Sequence, residues 1–331
     1  MSTKPNSARV LALDFGGTKL SAGVLATDPV IAWEKIERIP TGPNAQRSLE
    51  RMLDLTIDLL GGRTPAAVGV SFGGPVDFHS GTVLRCYQIP GWDNFPLRDR
   101  LQAVFNAPAI LENDANAAAF GEWAYGAGRG CQSLYYITIS TGIGGGWVLD
   151  GQIFRGANGL AGEIGHLTVK PDGPLCTCGR RGCLEALASG PAIAHVASRR
   201  LFAESITESL LPSLAGLNLS GANPLDSDPP AITAEQVALA AESGDRLAYE
   251  VLGDAARYLG QAIAAVILLL NPQRVVLGGG VAKSGEVFWH TLRQAASSQV
   301  LPGMAVQIFP ASLGDDAPLW GAAVLAQNLI T

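Results

Sequence analysis

The chain has 331 residues, 47% of them hydrophobic and 16% charged, with a formal net charge of −6; this excludes a disordered or fibrous chain and leaves room for two α/β lobes. The acidic balance argues against a surface built for nucleic acid or anionic membrane, since the long-range field would attract neither. Met1–Arg9 is polar and leads straight into an apolar run, so neither a signal-peptide core nor a DNA-reading segment is expected before it, and the five cysteines then point to a reducing cytoplasm.

Val10–Asp14 predicts a strand that runs into Asp14-Phe15-Gly16-Gly17-Thr18-Lys19, and Leu20–Leu25 predicts a second strand, so these glycines sit in a hairpin turn. No Gly-Lys-Ser/Thr of a P-loop follows, and no Gly-x-Gly-x-x-Gly opens a helix. Such a turn can present backbone N–H groups to phosphate oxygens, with the Thr18 hydroxyl as a further donor; the alternative is a plain β-turn. Ala66–Ser71 predicts a third strand, followed by Phe72-Gly73-Gly74-Pro75. Ala109–Leu111 predicts a short strand that delivers Glu112-Asn113-Asp114-Ala115-Asn116 to a helix over Ala117–Trp123. A polar cluster at the carboxyl end of a strand, opening a helix, is where α/β folds place their sites. Asp114 is the candidate general base of such a site; its alternative role is to cap the helix.

Tyr135–Ser140, Thr141-Gly142-Ile143-Gly144-Gly145-Gly146 and Trp147–Leu149 repeat the strand, Gly turn and strand plan, which reads as a weak internal repeat with one copy per lobe. Glu163-Ile164-Gly165-His166 and Cys176-Thr177-Cys178-Gly179-Arg180-Arg181-Gly182-Cys183-Leu184-Glu185 then offer three thiols and an imidazole. That closed set suits a tetrahedral structural Zn²⁺ with no open water position. The alternative is reduced or redox-active thiols in a Gly-rich turn; a Cys176–Cys178 disulfide would be cramped and would leave a thiol over. Glu163 and Glu185 are not needed by the metal and are available to a polar ligand.

Ser189–Leu201, Thr233–Ser243 and Arg246–Leu270 predict helices. The apolar stretch Gly260–Leu270 is stopped by Asn271-Pro272 well short of the ~20 residues of a membrane span. Gln273–Leu277 predicts a strand ending in Gly278-Gly279-Gly280. Phe202–Ile232, broken by Pro212, Pro224, Pro229 and Pro230, predicts a flexible insertion, with a short helix around Leu210, Leu211, Leu214 and Leu217 as the alternative. His79, His195 and His290 lack partners at ligand spacing and read as structural or exposed.

Taken together, these motifs resemble the ROK family of sugar kinases and sugar-responsive repressors, from Val10 to Leu325 apart from the insertion. Leu13–Lys19 is similar to the family's first phosphate motif, Ile139–His166 to its signature with Gly142, Gly144, Gly156, Gly165 and His166 in place, and Val275–Gly280 to the segment that borders adenosine. The resemblance implies an α/β fold of two RNase H-like lobes of the actin/hexokinase type with an interdomain cleft. We place the lobes at residues 1–118 plus about 316–331 and at residues 119–315, the second carrying the zinc motif and the insertion at 202–232.

By resemblance the activity is ATP-dependent phosphorylation of a hexose, foremost glucose to glucose 6-phosphate. N-acetylmannosamine, N-acetylglucosamine, mannose, fructose and allose are runners-up, and polyphosphate is an alternative donor. Asp114 is implied as the catalytic residue, and Gly74, Gln88, Asn113, Asp114, Glu163, His166 and Glu185 as the sugar contacts. Asp14, Gly16, Gly17, Thr18, Lys19, Thr141, Gly142, Gly278 and Gly279 are implied for ATP with Mg²⁺, and His166, Cys176, Cys178 and Cys183 for zinc. One departure bears on the sugar: many glucokinase-like members have Asn shortly before Pro-Gly-Trp, where this chain has Gln88 ahead of Pro90-Gly91-Trp92. A repressor would need a groove-entering element before Val10, and an intact Asp114 argues against a silent binding protein. The expected assembly is a cytoplasmic homodimer.

Overall fold

The computed structural model describes residues 9–27, 31–86, 88–203, 208–216 and 232–331. The first strands and helices are β1 (Arg9–Phe15), β2 (Lys19–Ala26), β3 (Ala32–Pro40), α1 (Ala45–Leu60), β4 (Ala67–Phe72), β5 (Val76–Asp77), β6 (Thr82–Val83), α2 (Leu97–Phe105), β7 (Ala109–Asn113) and α3 (Asp114–Tyr125). There follow β8 (Ser133–Ile139), β9 (Ile143–Leu149), β10 (Gln152–Ile153), α4 (Glu185–Ala188), α5 (Gly190–Ala203), α6 (Leu211–Leu214), α7 (Ala234–Glu242), α8 (Arg246–Leu270), β11 (Arg274–Gly278), α9 (Gly285–Ser297), β12 (Ile308–Pro310) and α10 (Ala317–Gln327). The chain divides into two compact units, one of Met1–Tyr136, Gly146–Gly162 and Ala311–Thr331, the other of Ile137–Gly145 and Glu163–Pro310.

Two five-stranded sheets run in the orders β3-β2-β1-β4-β7 and β10-β9-β8-β11-β12. The second order repeats the first strand for strand. The Gly-turn repeat in the sequence therefore marks a whole repeated sheet topology, and the α/β class with two related halves stands.

In the first unit β1 pairs antiparallel with β2 and parallel with β4, and β4 pairs parallel with β7. Side chains alternate across β1 with period two. Leu11, Leu13 and Phe15 enter a core with α1 and α2, whereas Val10 and Ala12 pack with Leu319, Ala322 and Ala323 of α10. Each fully buried aliphatic side chain contributes about 1.5–3 kcal/mol, which is why a strand covered on both faces reads as an unbroken apolar run. Helix α10 comes very close to its neighbours. A methyl group at Gly321 would lie 1.7 Å from the Ala117 carbonyl oxygen of α3, and one at Gly69 1.8 Å from that of Ala322.

Helix α3 begins at Asp114, earlier than the predicted Ala117, and its N-cap is Asn113 rather than Asp114: the Asn113 side chain accepts from the N–H groups of Ala115 and Asn116. The cap sits one residue earlier because the strand delivers Asn113 in extended conformation while Asp114 is already helical.

In the second unit α8 packs against α5, α7 and α9. Asp245 caps its start and Asn271, at φ 44°, closes its end. By length and composition α8 passes as a membrane span, yet 67% of its most apolar window is buried inside the protein, so it is a core helix. The predicted insertion lies mostly outside the described residues. What is described of it includes α6, with Leu211 buried, and Ser209 and Leu210 bonded to the Asp245 carboxylate.

Candidate active site

The candidate residues of the first unit gather at the carboxyl ends of β1, β4 and β7. β1 delivers Asp14, which is 6% exposed and accepts a 2.8 Å hydrogen bond from Ser71, its register partner on β4. Burial pushes the Asp14 carboxyl up to about 7; the Ser71 bond and Lys19 oppose the rise, while Asp114 and Asp316 add to it. The following turn is braced by Gly16 N–H donating to the Lys19 carbonyl at 3.1 Å and by the Thr41 hydroxyl donating to the Gly16 carbonyl at 2.8 Å. Thr18 is exposed at its tip, and Lys19 lies 4.0 Å from Asp315. Trp92 forms the floor, with its ring 5.6 Å from Phe15 and 5.1 Å from Phe72.

Asp114 stands beside this turn. A methyl group at Gly73 would meet the Phe15 carbonyl at 3.4 Å, Asp114 Oδ2 at 3.6 Å and the Gly16 Cα at 3.8 Å, so only a residue without a side chain separates the carboxylate from the Gly turn. Asp114 Oδ1 accepts from Ala115 N–H at 2.9 Å and from the Asn113 amide at 3.0 Å. The Asn113 amide also donates to the Gly74 carbonyl at 3.2 Å, which ties the Asp114 turn to the Gly73-Gly74 segment. Gln88 is exposed, and its amide oxygen covers Gly17, where a methyl group would lie 1.7 Å away.

The candidate residues of the second unit form their own group. Glu185, at the start of α4, accepts from Ile143 N–H at 2.9 Å and closes on Gly142, while Thr141 is exposed. Glu163 keeps an exposed face, yet neighbouring protein desolvates its carboxyl and raises it above the usual carboxylate range; His166 opposes the rise and Glu185 adds to it, so the three share one electrostatic environment. Gly278 ends β11, and Gly279, at φ 85°, packs its Cα against Ile139 at the end of β8.

The ligand atoms of His166, Cys176, Cys178 and Cys183 all lie within 4.8 Å of one another, with Cys176 Sγ 3.7 Å from His166 Nδ1 and Cys178 Sγ 3.6 Å from Cys183 Sγ. A tetrahedral site with Zn–S near 2.3 Å requires sulfurs roughly 3.8 Å apart, so the donor set fits zinc in kind and in spacing. Nδ1 faces the cysteines, which leaves Nε2 for another partner. The Arg180 N–H and guanidinium hold the Cys178 thiol down to about 6, whereas burial pushes the Cys183 thiol up to about 12. Arg180 also donates to the His166 carbonyl at 2.9 Å.

Two polar residues of the site, Arg155 and Asp315, have no role in the sequence motifs, and a third, Glu112, stands in the polar cluster before α3 without one. The buried Glu112 pairs with the half-buried Arg155 next to the Asp114 turn, and Asp315 partners Lys19. The one available signal is Glu112 itself, a carboxylate placed within an apolar strand, where only a partner can stabilise it.

The ROK family model matches residues 10–329. A glucokinase of Halalkalibacterium halodurans is 37% identical over 96% of this chain and 94% of its own length. An N-acetylmannosamine kinase of Yersinia pseudotuberculosis is 32% identical over 96% and 98%. A solved ROK glucokinase of Streptomyces griseus, in complex with glucose and AMPPNP, superposes with a TM-score of 0.80 at 33% identity and covers 97% of this chain and all (100%) of its own. With the family model matched over nearly its whole length, this chain belongs to the ROK family.

Proposed function

We propose that this ROK protein is an ATP-dependent hexokinase that transfers the γ-phosphoryl group to glucose. The observation that carries the reading is the carboxylate of Asp114, held at the start of α3 with only Gly73 between it and the Gly16-Gly17 turn. Phosphoryl transfer passes through a loose transition state, so the protein acts by positioning and by stabilising spread charge. Asp114 accepts the proton of the attacking sugar hydroxyl as the new P–O bond forms and the ADP oxygen leaves. The N–H groups of the Gly16-Gly17 and Thr141-Gly142 turns receive the phosphates, with Lys19 adding positive charge, and Gly278-Gly279 borders the base.

Asp14 is the residue that would hold Mg²⁺, which would supply positive charge against the negative charge that builds during transfer. A carboxyl raised chiefly by burial, with a second carboxylate adding to the rise, is stabilised in its charged form by such a cation. Asn113, Gly74, Gln88, Glu163, His166 and Glu185 are the sugar contacts. His166, Cys176, Cys178 and Cys183 hold a structural zinc that sets the aim of the His166 ring. A second reading, an N-acetylhexosamine kinase, is supported by Gln88 in place of the usual Asn and by the N-acetylmannosamine kinase relative.

The test is ADP release across a panel of hexoses and N-acetylhexosamines, with ATP and polyphosphate as donors. Glucose with ATP is expected to give the highest kcat/KM. Asp114→Ala is expected to lose roughly 10²–10⁴ in kcat with sugar binding retained. Near-normal turnover in that variant sinks the assignment of the base, and phosphorylation of no sugar sinks the kinase.

A further inference from the structure

We propose that the buried Glu112 and the half-buried Arg155 form an ionic clamp that positions Asp114 for phosphoryl transfer; the proposal rests on the reading of Asp114 as the base. Glu112 is 1% exposed. Its two oxygens meet four nitrogens. Oε2 accepts from Arg155 Nε at 2.7 Å and has Nη2 of the same guanidinium 2.6 Å away in the ion pair, and Oε1 accepts from Asn113 N–H and from the Asn116 amide, both at 3.0 Å. The last two partners lie on either side of Asp114 in sequence. One carboxylate therefore grips the turn before and after the base, and Arg155 neutralises and orients that carboxylate.

The clamp also closes a polar row across the sheet. Glu112 on β7 is in register with Ser71 on β4, and Ser71 is in register with Asp14 on β1 and donates to its carboxylate. The row carries the proposed Mg²⁺ ligand at one end and the clamp at the other. On its far side Arg155 stacks on Phe78, between β5 and β6, with its guanidinium carbon 3.6 Å from the ring centre. Its carbonyl accepts from Ala161 N–H at 3.0 Å and closes the loop that leads on to Glu163. Arg155 thus joins three segments, the turn that bears the base, the hairpin that follows Gly74 and the loop that precedes Glu163.

A buried ion pair is a weak device for stability alone, since apolar replacements of similar volume are often neutral. Here, however, the carboxylate is shared with the backbone of the catalytic turn, and a shift of about 1 Å in a reacting group can cost roughly 10²-fold in rate. Arginine is required because two nitrogens of one planar fork meet the same oxygen, an arrangement a lysine ammonium on a flexible stem does not reproduce.

The experiment compares kcat, the KM values for sugar and ATP, and Tm in Arg155→Met, Arg155→Lys, Glu112→Gln and the double variant Glu112→Gln/Arg155→Met, with Asp114→Ala run alongside. Each single variant is expected to lose roughly 30-fold or more in kcat per folded molecule with both KM values within about threefold. In Arg155→Met the carboxylate is left unpaired, and in Glu112→Gln an amide N–H faces the guanidinium. The double variant has neutral partners and keeps an acceptor for Asn113 and Asn116, so its kcat is expected to exceed that of either single variant, a coupling no pair of independent sites would show.

If Arg155→Met fails to fold, Arg155→Lys decides the matter. Single variants that retain kcat within twofold, or that lose only Tm, overturn the clamp. So does a double variant whose loss is the product of the two single losses. With Asp114→Ala inactive, those results overturn the clamp and leave the base standing; an active Asp114→Ala overturns the base and the clamp with it.

Discussion

Burying a carboxylate beside a single hydroxyl donor raises its proton affinity, and Asp14 is held in that way at the end of β1. Its folded pKa of about 7 stands above the unfolded value of 3.8, so the native state binds the proton more tightly than the unfolded chain does. Stability from this group is therefore full below pH 3.8 and falls as pH rises towards 7. Asp14→Asn keeps the acceptor for Ser71 and removes the ionisation. We expect this variant to be more stable than the native protein at pH 8 by on the order of a few kcal/mol, with the gap narrowing at pH 5, while phosphoryl transfer is lost. Thermal melts at the two pH values in the absence of Mg²⁺ and ATP check this, and a variant less stable at both would contradict it. At this scale the sequence exposed Asp14 and Asp114 because each stands in a polar motif at a strand end. It hid the Glu112–Arg155 pair because the partners are 43 residues apart, and neither the polar cluster that holds Glu112 nor the Gly-rich stretch that holds Arg155 says that the two side chains meet.

Elements differ in how much of their own geometry they supply. β1 and β2 were legible from their apolar runs around a Gly turn, and α7 and α8 from the runs Thr233–Ser243 and Arg246–Leu270, which the structure caps at Thr233 and Asp245. Helix α10 was not legible: buried residues run almost without break from Leu319 to Ala326, so no polar stripe signals its period. The segment between His166 and Glu185 is the opposite case. Its isolated bridges are Thr168 with Cys183 and Leu175 with Arg181, so no continuous ladder shapes it. The proposed zinc is then its organising contact. Metal analysis is expected to find about one zinc per chain. Cys178→Ser, or exhaustive chelation, is expected to remove the metal, raise the sugar KM more than the ATP KM, and open this segment to proteolysis. A zinc-free protein with an unchanged sugar KM would reduce the cluster to a bystander.

For the whole molecule, the repeated strand order explains why two short Gly-turn motifs sufficed to suggest two related halves, since each motif marks the hairpin at the start of one sheet. Choice of sugar was not legible in this way, because Gln88, Glu163 and His166 stand outside the regular strands and α-helices. Whole-molecule stability nevertheless reports that choice without turnover. A ligand that binds only the folded state adds RT ln(1 + [L]/Kd), about 2.7 kcal/mol at a hundredfold excess over Kd, which for a chain of this size raises Tm by a few degrees. Asp114→Ala should keep that shift, since removing the proton acceptor leaves the other sugar contacts in place. We therefore expect glucose to raise Tm most within a panel of hexoses and N-acetylhexosamines, in both the native protein and Asp114→Ala. A shift with N-acetylmannosamine and none with glucose would hand the substrate to the second reading through Gln88. A shift with an ATP analogue and with no sugar at all would sink the hexokinase proposal, however much the fold resembles one.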